Sequence, residues 1–277
     1  MAEQKKEEKR KSKKKEKVNL ALVLSGGGAR GMAHIGVLKA LQKNNLEPNL
    51  IIGTSAGALV GGMYAAGKLG EFEKMLLSKT QKDIRRIAAF RPREGGLINP
   101  DRFEKEIKKI IGEKKIEELD KKFFSTSVDI LSGKEQCMDK GDLAQAIMAS
   151  STIPLLLPPV KKDGMLLVDG GLNNPLAIHE GFQQAHKVIA VAIERNLKDM
   201  PKKEKYNFLG IAERSLTIFQ NEIIEASLKK YKKNLVVIRL EVNMDTLDFH
   251  KAKEAIEIGE KETEKYIEEI KKLVLVE

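Results

Sequence analysis

The 277-residue chain contains no tryptophan and a single cysteine, Cys137. One cysteine excludes a disulfide framework and a four-cysteine zinc site, and it favours a reducing, cytoplasmic compartment. No apolar run approaches the ~18 residues that a membrane-spanning helix needs. The apolar run at residues 20–24, which follows the basic start of the chain, is shorter than the ~7–15 residues of a signal-peptide core. We therefore expect a cytoplasmic protein without a membrane span.

Positive charge is in excess, and half of the excess lies in the first 17 residues. The chain carries 50 Lys and Arg against 40 Asp and Glu, and residues 1–17 hold nine of the basic and four of the acidic side chains. Such a block of like charge without an apolar face predicts a disordered basic tail. The tail suits weak peripheral contact with an anionic membrane, and a purely solubilising role is the alternative. Residues 18–277 carry a modest +5, which does not indicate nucleic-acid binding.

Hydrophobic residues make up 42% of the chain, which is enough for a full-sized core and excludes a disordered protein as the overall class. From residue 18 onward, short apolar runs alternate with helical periodicities. The predicted strands lie at residues 19–25, 50–52, 124–131, 135–138, 165–168, 188–193 and 235–240. This alternation predicts an α/β fold with a mostly parallel central sheet flanked by helices on both faces. We expect one domain over residues 18–277.

Two other segments give specific structural expectations. Pro92, Gly95 and Gly96 predict that residues 90–99 form a loop, and residues 80–99 together could be either a lid over the site or an ordinary connection. An apolar stripe at helical spacing from Ala252 to Val274 predicts one C-terminal helix.

A glycine-rich loop follows the first predicted strand and opens a helix. Its sequence is Gly26-Gly27-Gly28-Ala29-Arg30-Gly31. Glycines permit unusual backbone angles and close approach of an oxygen atom, and the N–H groups at a helix start attract anions. The loop therefore indicates a cradle for a phosphate or for a developing oxyanion, although a plain strand-to-helix turn has the same pattern.

A second glycine motif, Gly53-Thr54-Ser55-Ala56-Gly57, also stands between a strand and a helix. This is the GxSxG pattern of a nucleophile elbow, in the structural context that the motif requires. The flanking glycines remove side chains that would clash in a sharp turn, so the turn presents the Ser55 hydroxyl. The alternative is a serine that caps the helix after a glycine turn.

The third motif is Asp169-Gly170-Gly171, at the end of another predicted strand. A carboxylate at a strand end can act as general base for the Ser55 hydroxyl. By itself, an Asp-Gly pair more commonly marks a turn.

The combination of motifs separates two uses of the glycine loop. A dinucleotide-binding fold needs an acidic residue at the end of the second strand, about 20 residues after the glycines. That position is occupied here by Ser55 and its flanking residues, and Glu47 lies before the strand. The pattern favours an oxyanion hole that serves Ser55, with a nucleotide-binding module as the alternative.

The motifs GGGARG, GTSAG and DGG, in this order, resemble those of the patatin-like phospholipases, and the resemblance runs from about residue 20 to 175. It implies a three-layer α/β/α sandwich and hydrolysis of acyl esters of lipids without a metal or organic cofactor. It also implies a Ser–Asp dyad, with Ser55 as nucleophile and Asp169 as general base. The implied oxyanion hole uses the backbone amides of Gly26, Gly27 and Gly28. Arg30, Gly31, Gly53, Gly57, Gly170 and Gly171 complete the motifs.

Several alternatives stay open at this point. His34, His179, His186 and His250 leave room for a Ser…Asp…His triad, with His179 or His186 as the base. Ser150-Ser151-Thr152, before an apolar loop, lines an acyl pocket or simply packs in the core. The four lysines at 229, 230, 232 and 233 complement a helix dipole or face lipid. A membrane-surface regulatory protein that has lost activity is the remaining functional alternative.

Overall fold

The computed structural model describes residues 18–87, 90–93, 96–98, 100–194 and 207–275, and the predicted basic tail lies outside them. The strands are β1 Val18–Leu24, β2 Leu50–Thr54, β3 Phe90–Arg93, β4 Gly96–Ile98, β5 Lys122–Asp129, β6 Glu135–Met138, β7 Val160–Lys162, β8 Met165–Asp169, β9 Ala185–Glu194 and β10 Leu235–Glu241. The α-helices are α1 Ala33–Lys43, α2 Ala56–Ala65, α3 Leu69–Ser78, α4 Gln81–Ile87, α5 Pro100–Ile111, α6 Leu143–Ser150, α7 Ile178–Gln184, α8 Phe208–Lys230, α9 Ala252–Glu264 and α10 Ile267–Leu275.

Eight strands form one sheet, which is parallel along most of its width. The order is β10-β9-β1-β2-β5-β8-β7, and β6 pairs with β5. The five strands from β10 to β5 run parallel, whereas β6, β7 and β8 pair antiparallel with their neighbours. From β1 the chain builds the sheet first toward β5 and later toward β10. In open α/β sheets, ligands bind at the carboxyl ends of the strands beside such a switch point.

Helices cover both faces of the sheet because its central strands are apolar on both sides. In β1, Leu22 and Leu24 face the larger core, which includes α1, α2, α6 and α9. Ala21 and Val23, which alternate with them, face a second core formed with α7 and α8. Residues that alternate along a strand point to opposite faces, so both sides of β1 are buried. The predicted α/β architecture with two helical layers is confirmed.

Glycine allows two helices of the larger core to cross in backbone contact. A Cβ atom built on Gly36 of α1 would lie 2.0 Å from Ile256 O of α9. A Cβ atom on Gly259 of α9 would lie 2.0 Å from Ala33 O. These distances are far below any real contact, so both positions require glycine. The crossing fixes α1, whose start carries the glycine-rich loop.

Two expectations from the sequence are wrong. Residues 90–93 and 96–98, predicted as a loop, form the antiparallel pair β3–β4. The C-terminal stripe, predicted as one helix, is divided into α9 and α10 by a turn at Lys265 and Tyr266. The apolar spacing continues in phase across the break, since Thr263, Ile267 and Ile270 are all buried. Periodicity reports which side is buried, and it does not report whether the helical hydrogen bonds are continuous.

In the described part of the chain, no helix combines the length and the apolar character needed to cross a membrane.

Candidate active site

Ser55 occupies a sharp turn between β2 and α2. Its backbone lies at φ 55° and ψ −121°, a conformation that residues other than glycine rarely adopt. Gly57 makes the turn possible, because a Cβ atom there would lie 2.2 Å from Leu24 O. Gly53 is equally constrained, with a Cβ atom 2.4 Å from Gly57 O. The predicted strand–turn–helix elbow is therefore present, and both flanking glycines are required by backbone contacts.

The Ser55 hydroxyl donates a hydrogen bond to Asp169. Ser55 Oγ lies 2.5 Å from Asp169 Oδ2, and Asp169 Oδ1 accepts the Gly171 N–H at 2.7 Å. Both side chains are buried. Burial raises the pKa of Asp169 from its usual 3.8 to about 6, although the hydrogen bonds from Ser55 and Gly171 oppose the rise. The carboxylate can accept a proton from Ser55 and is held in one orientation.

Strand register brings Asp169 to Ser55 across two strand pairs. Thr54, directly before Ser55, pairs with Thr126 of β5, and the next residue of β5, Ser127, pairs with Asp169. Because β8 runs antiparallel to β5, it approaches from the carboxyl edge of the sheet and ends beside the elbow. Gly170 then packs on β5, since a Cβ atom built on Gly170 would lie 2.6 Å from Thr126 O.

The glycine-rich loop lies against the nucleophile and is anchored at both ends. The Gly26 N–H donates to Pro175 O at 3.1 Å, and the Ala29 N–H donates to Thr246 O at 2.8 Å. Gly26 contacts Ser55 closely, since a Cβ atom on Gly26 would lie 3.3 Å from Ser55 Cβ. Because the Gly26 amide is already engaged by Pro175, its predicted role as an oxyanion donor conflicts with the geometry. Gly27 and Gly28 remain between the two anchors.

Gly28 needs the conformational freedom of glycine. Its φ is +57°, and a Cβ atom would lie 2.6 Å from Thr246 Cγ2. Gly31 lets the loop pack on the first turn of α2, because its Cβ atom would lie 2.4 Å from Ala56 Cβ. Arg30 is buried and donates from Nη1 to Met244 O at 3.2 Å. This contact indicates that Arg30 holds the glycine-rich loop in place.

The segment from Ser150 to Thr152 braces both members of the Ser–Asp pair, which sequence reasoning did not predict. Ser150 Oγ accepts the Ser55 N–H at 2.8 Å, and Thr152 O accepts the Asp169 N–H at 2.9 Å. Ser151 lines the apolar pocket described below. No sequence motif marks these contacts, because the partners are about 95 and 17 residues away along the chain.

None of the four histidines, all in the described residues, hydrogen-bonds to Ser55 or Asp169. His34 is fully buried, and its Nε2 lies 2.9 Å from Ser25 O, so Nε2 carries the proton that it donates. Burial lowers the pKa of His34 to about 4, which leaves the ring neutral. His179 lies on the surface between Tyr231 and Gln183. His186 is exposed on β9. The histidine triad left open by the sequence is not formed.

Two pockets meet at Ser55 and Gly28. The apolar pocket has about 1100 Å³ of space between its walls, its open mouth included, and its lining is almost entirely apolar, as an acyl chain requires. Half of its lining residues come from α2, α3 and α5, with Ile84 of α4 and Leu156 among the other contacts. Its principal apolar residues are Leu59, Met63, Phe72, Met75, Leu76, Phe103, Ile107 and Ile110.

The second pocket has a mixed polar lining. It contains the glycine loop, Arg30 and Asp169, together with residues of α8 and of the segment 245–248. Thr246 Oγ1 donates to Glu213 Oε1 of α8 at 2.6 Å, which ties this segment to the helix. Ser55 therefore stands between an apolar space and a polar one.

Comparison with known proteins identifies the family. The family model "Patatin-like phospholipase" matches residues 22–181, which is more than half of the chain. The chain belongs to the patatin-like phospholipase family. The match covers the glycine loop, the elbow and Asp169.

Among curated relatives, the chain is 40% identical over 157 residues to an uncharacterized NTE family protein of Mycobacterium bovis, covering 57% of this chain and 44% of that protein. It is 33% identical over 181 residues to human patatin-like phospholipase domain-containing protein 6, covering 63% of this chain and 13% of that protein. It is 29% identical over 190 residues to lysophospholipase nte1 of Emericella nidulans, covering 63% of this chain and 12% of that protein. The chain thus spans less than half the length of these relatives.

A solved structure shares the fold. VipD from Legionella pneumophila aligns over 92% of this chain and 67% of its own, with a TM-score of 0.51 and 14% sequence identity. At this identity the likeness concerns the architecture alone.

Proposed function

We propose that this chain is a lipid acyl hydrolase that cleaves acyl esters through a covalent ester on Ser55, with Asp169 as general base. The observation that carries the proposal is the 2.5 Å hydrogen bond between Ser55 Oγ and Asp169 Oδ2, at the point where an apolar and a polar pocket meet. Membership of the patatin-like phospholipase family supports a lipid substrate. The apolar pocket receives the acyl chain, and the polar pocket receives the alcohol portion.

In the first half of the reaction, Ser55 Oγ attacks the ester carbonyl carbon while its proton passes to Asp169 Oδ2. The N–H groups of Gly27 and Gly28 stabilise the oxyanion, and the Ala56 N–H at the start of α2 adds positive potential. The proton on Asp169 then passes to the leaving alcohol. In the second half, Asp169 activates a water molecule that hydrolyses the acyl-enzyme. No metal or organic cofactor takes part.

The contacts of the glycine loop and of the Ser–Asp pair argue against the two competing functions, a nucleotide-binding module and an inactive surface protein. A nucleotide-binding module would use the amides of the glycine loop for phosphate, yet the Gly26 and Ala29 amides are occupied by backbone carbonyls. An inactive surface protein would not need the contacts from Ser150 and Thr152 that hold Ser55 and Asp169 in place. Both observations support a working hydrolase.

The test is hydrolysis of a series of p-nitrophenyl acyl esters by wild type and three variants. We expect Ser55→Ala and Asp169→Asn to lose at least about 10³-fold in kcat, in line with the loss of a nucleophile or base. The triple variant His179→Ala, His186→Ala, His250→Ala should keep wild-type turnover. Circular dichroism first verifies that all four proteins are folded. A folded triple variant without activity, or a wild type inactive on every ester, would refute the proposal.

A further inference from the structure

Helix α8 exposes large apolar side chains. Phe208 is 74% exposed, Phe219 64% and Ile211 56%, and Ile218 is also exposed. At 3.6 residues per turn these four positions fall on one face of the helix. Large exposed apolar patches usually mark a site of contact. All four side chains keep more than 40% of their surface exposed, and we call them the α8 surface.

The same helix borders the candidate active site. On its other side, Leu216, Thr217 and Gln220 line the polar pocket that contains Ser55. Gln220 Nε2 donates to Gly171 O at 3.1 Å, next to the carboxylate of Asp169. A molecule that contacts the α8 surface therefore lies within about one helix diameter, roughly 10–12 Å, of the polar pocket that contains Ser55.

The rim of the polar pocket continues this apolar character. Leu155 and Leu247 both line the pocket and are each 42% exposed. Leu155 has a φ of 71°, a left-handed conformation that is costly for a bulky residue. Such strained conformations persist at functional sites when the surrounding structure enforces them. The fold here holds a partly exposed leucine in the lining of the polar pocket against its backbone preference.

In the sequence, basic residues precede and follow α8. The exposed lysines 229, 230, 232 and 233 follow its apolar face. In the sequence, the twelve residues 195–206 directly before the helix contain five basic and two acidic side chains. Glu222 is exposed on the apolar face itself, and Glu225, which pairs with Arg239, lies beside that face. Clusters of lysine beside an apolar helix face are complementary to anionic lipid headgroups.

We propose that the α8 surface docks on an anionic lipid bilayer and places the entrance of the polar pocket at the headgroups. A bilayer accounts for the three features together: the apolar face, the flanking positive charge and the position beside the polar pocket. A second copy of this chain would meet the same flanking positive charge, which opposes association. The inference rests on the proposed function for its biological purpose, but the docking itself is measured without hydrolysis.

The absence of tryptophan allows a direct test of insertion. Phe208→Trp and Phe219→Trp, each in the full chain with Ser55→Ala, give single-tryptophan proteins. Their emission should shift to the blue on addition of phosphatidylcholine vesicles that contain phosphatidylglycerol, and brominated acyl chains should quench it. Leu131→Trp is the matched control, because Leu131 is 67% exposed in the turn after β5. Its emission should not change.

Binding strength gives an independent readout. The double variant Phe208→Ser, Phe219→Ser, again with Ser55→Ala, should partition to these vesicles at least about tenfold more weakly. The reason is that neither position then buries a phenyl ring in the bilayer. Ile130→Ser, Leu131→Ser should partition like the parent. Partitioning should also fall when salt rises or phosphatidylglycerol is left out. With Ser55 retained, Phe208→Ser, Phe219→Ser should hydrolyse a soluble short-chain ester at the wild-type rate.

Three results would overturn the docking proposal: no vesicle binding by the parent, equal binding by parent and double variant, or a dimer in solution that the double variant converts to monomer. The last result would assign the surface to a second copy. If the double variant loses vesicle binding and wild type hydrolyses no ester, docking is upheld and the hydrolase proposal is refuted. Normal hydrolysis with unaltered vesicle binding would refute docking alone.

Discussion

Asp169 is a carboxyl group whose surroundings oppose its charge. Burial raises its pKa to about 6, and the hydrogen bonds from Ser55 and Gly171 offset part of that effect. A general base works best when its pKa lies near the working pH, so this value suits the proposed role of Asp169 at neutral pH. The same burial makes the ionised carboxylate costly for the folded state.

The first prediction concerns activity and pH. Only the ionised form of Asp169 accepts the Ser55 proton, so kcat/KM for a soluble ester should rise with pH and level off above an apparent pKa near 6. A stopped assay with a substrate that does not titrate in this range measures the profile. A rate that does not change with pH between about 5 and 8 would contradict the assignment of the base.

The second prediction concerns stability at the same residue. A folded-state pKa above the usual 3.8 means that Asp169 favours folding while protonated, and this contribution is lost as pH rises through about 6. Asp169→Asn removes the charge and should raise the free energy of unfolding at pH 8 by roughly 1–3 kcal/mol. Urea unfolding at pH 8 and near pH 4 measures this. The gain should shrink at the lower pH, and a loss of stability at pH 8 would contradict the account.

At the residue scale, the sequence predicts those features that local geometry determines. The turn at Ser55 needs glycine at 53 and 57 because of contacts within a few residues, and these glycines form a readable pattern. The contacts of Ser150 and Thr152 depend on tertiary packing and leave no such pattern. The engagement of the Gly26 amide by Pro175 could not be predicted for the same reason.

Among the elements, the crossing of α1 and α9 has the tightest packing requirement. Their backbones touch at Gly36 and Gly259, where a Cβ atom would lie 2.0 Å from a carbonyl oxygen of the other helix. Because α1 follows the glycine loop, a shift of this helix also moves the loop.

The third prediction tests that crossing. Gly259→Ala should reduce the free energy of unfolding by about 3 kcal/mol or more, because neither backbone can yield without moving a helix. Gly70→Ala is the control, since a Cβ atom on Gly70 of α3 meets nothing within 4 Å and alanine favours helix. Thermal unfolding of both variants measures the difference. Equal melting temperatures would show that the crossing relaxes freely.

The element pattern explains where sequence reasoning succeeded and failed. Buried strands such as β1 and β9 are continuous apolar runs, which their burial on two faces requires. The direction of β8 depends on how the chain returns to the sheet, so its antiparallel pairing with β5 could not be predicted from its own residues. The β3–β4 pair contains Pro92 and Gly96, the residue types that normally indicate a loop.

At the scale of the whole molecule, two pockets of different character converge on one hydroxyl. The apolar pocket is built by α2, α3 and α5 on one side of Ser55, and α8 borders the polar pocket on the other. The proposed function assigns the acyl chain to the apolar pocket. The size of that pocket should then set the preferred chain length.

The fourth prediction follows from this division. Met75→Trp fills part of the apolar pocket, so it should lower kcat/KM for long-chain esters by about tenfold, the effect of a few excluded methylene groups, and spare short-chain esters. Leu77→Trp is the control, because Leu77 lies two residues away and is 48% exposed outside the pocket lining. Kinetics on an ester series compare the two. An equal loss at every chain length would place the acyl chain elsewhere.

Covalent labelling distinguishes Ser55, with Asp169 as its proposed base, from every other nucleophile in the chain. The folded chain is treated with a fluorophosphonate and digested, and mass spectrometry locates the adduct. We expect one phosphonyl group on Ser55, no label on Ser55→Ala, much slower labelling of Asp169→Asn and normal labelling of Ser132→Ala, which removes an exposed serine in the turn after β5. An adduct on another residue, or wild-type labelling rates in folded Asp169→Asn, would contradict the proposed Ser–Asp dyad.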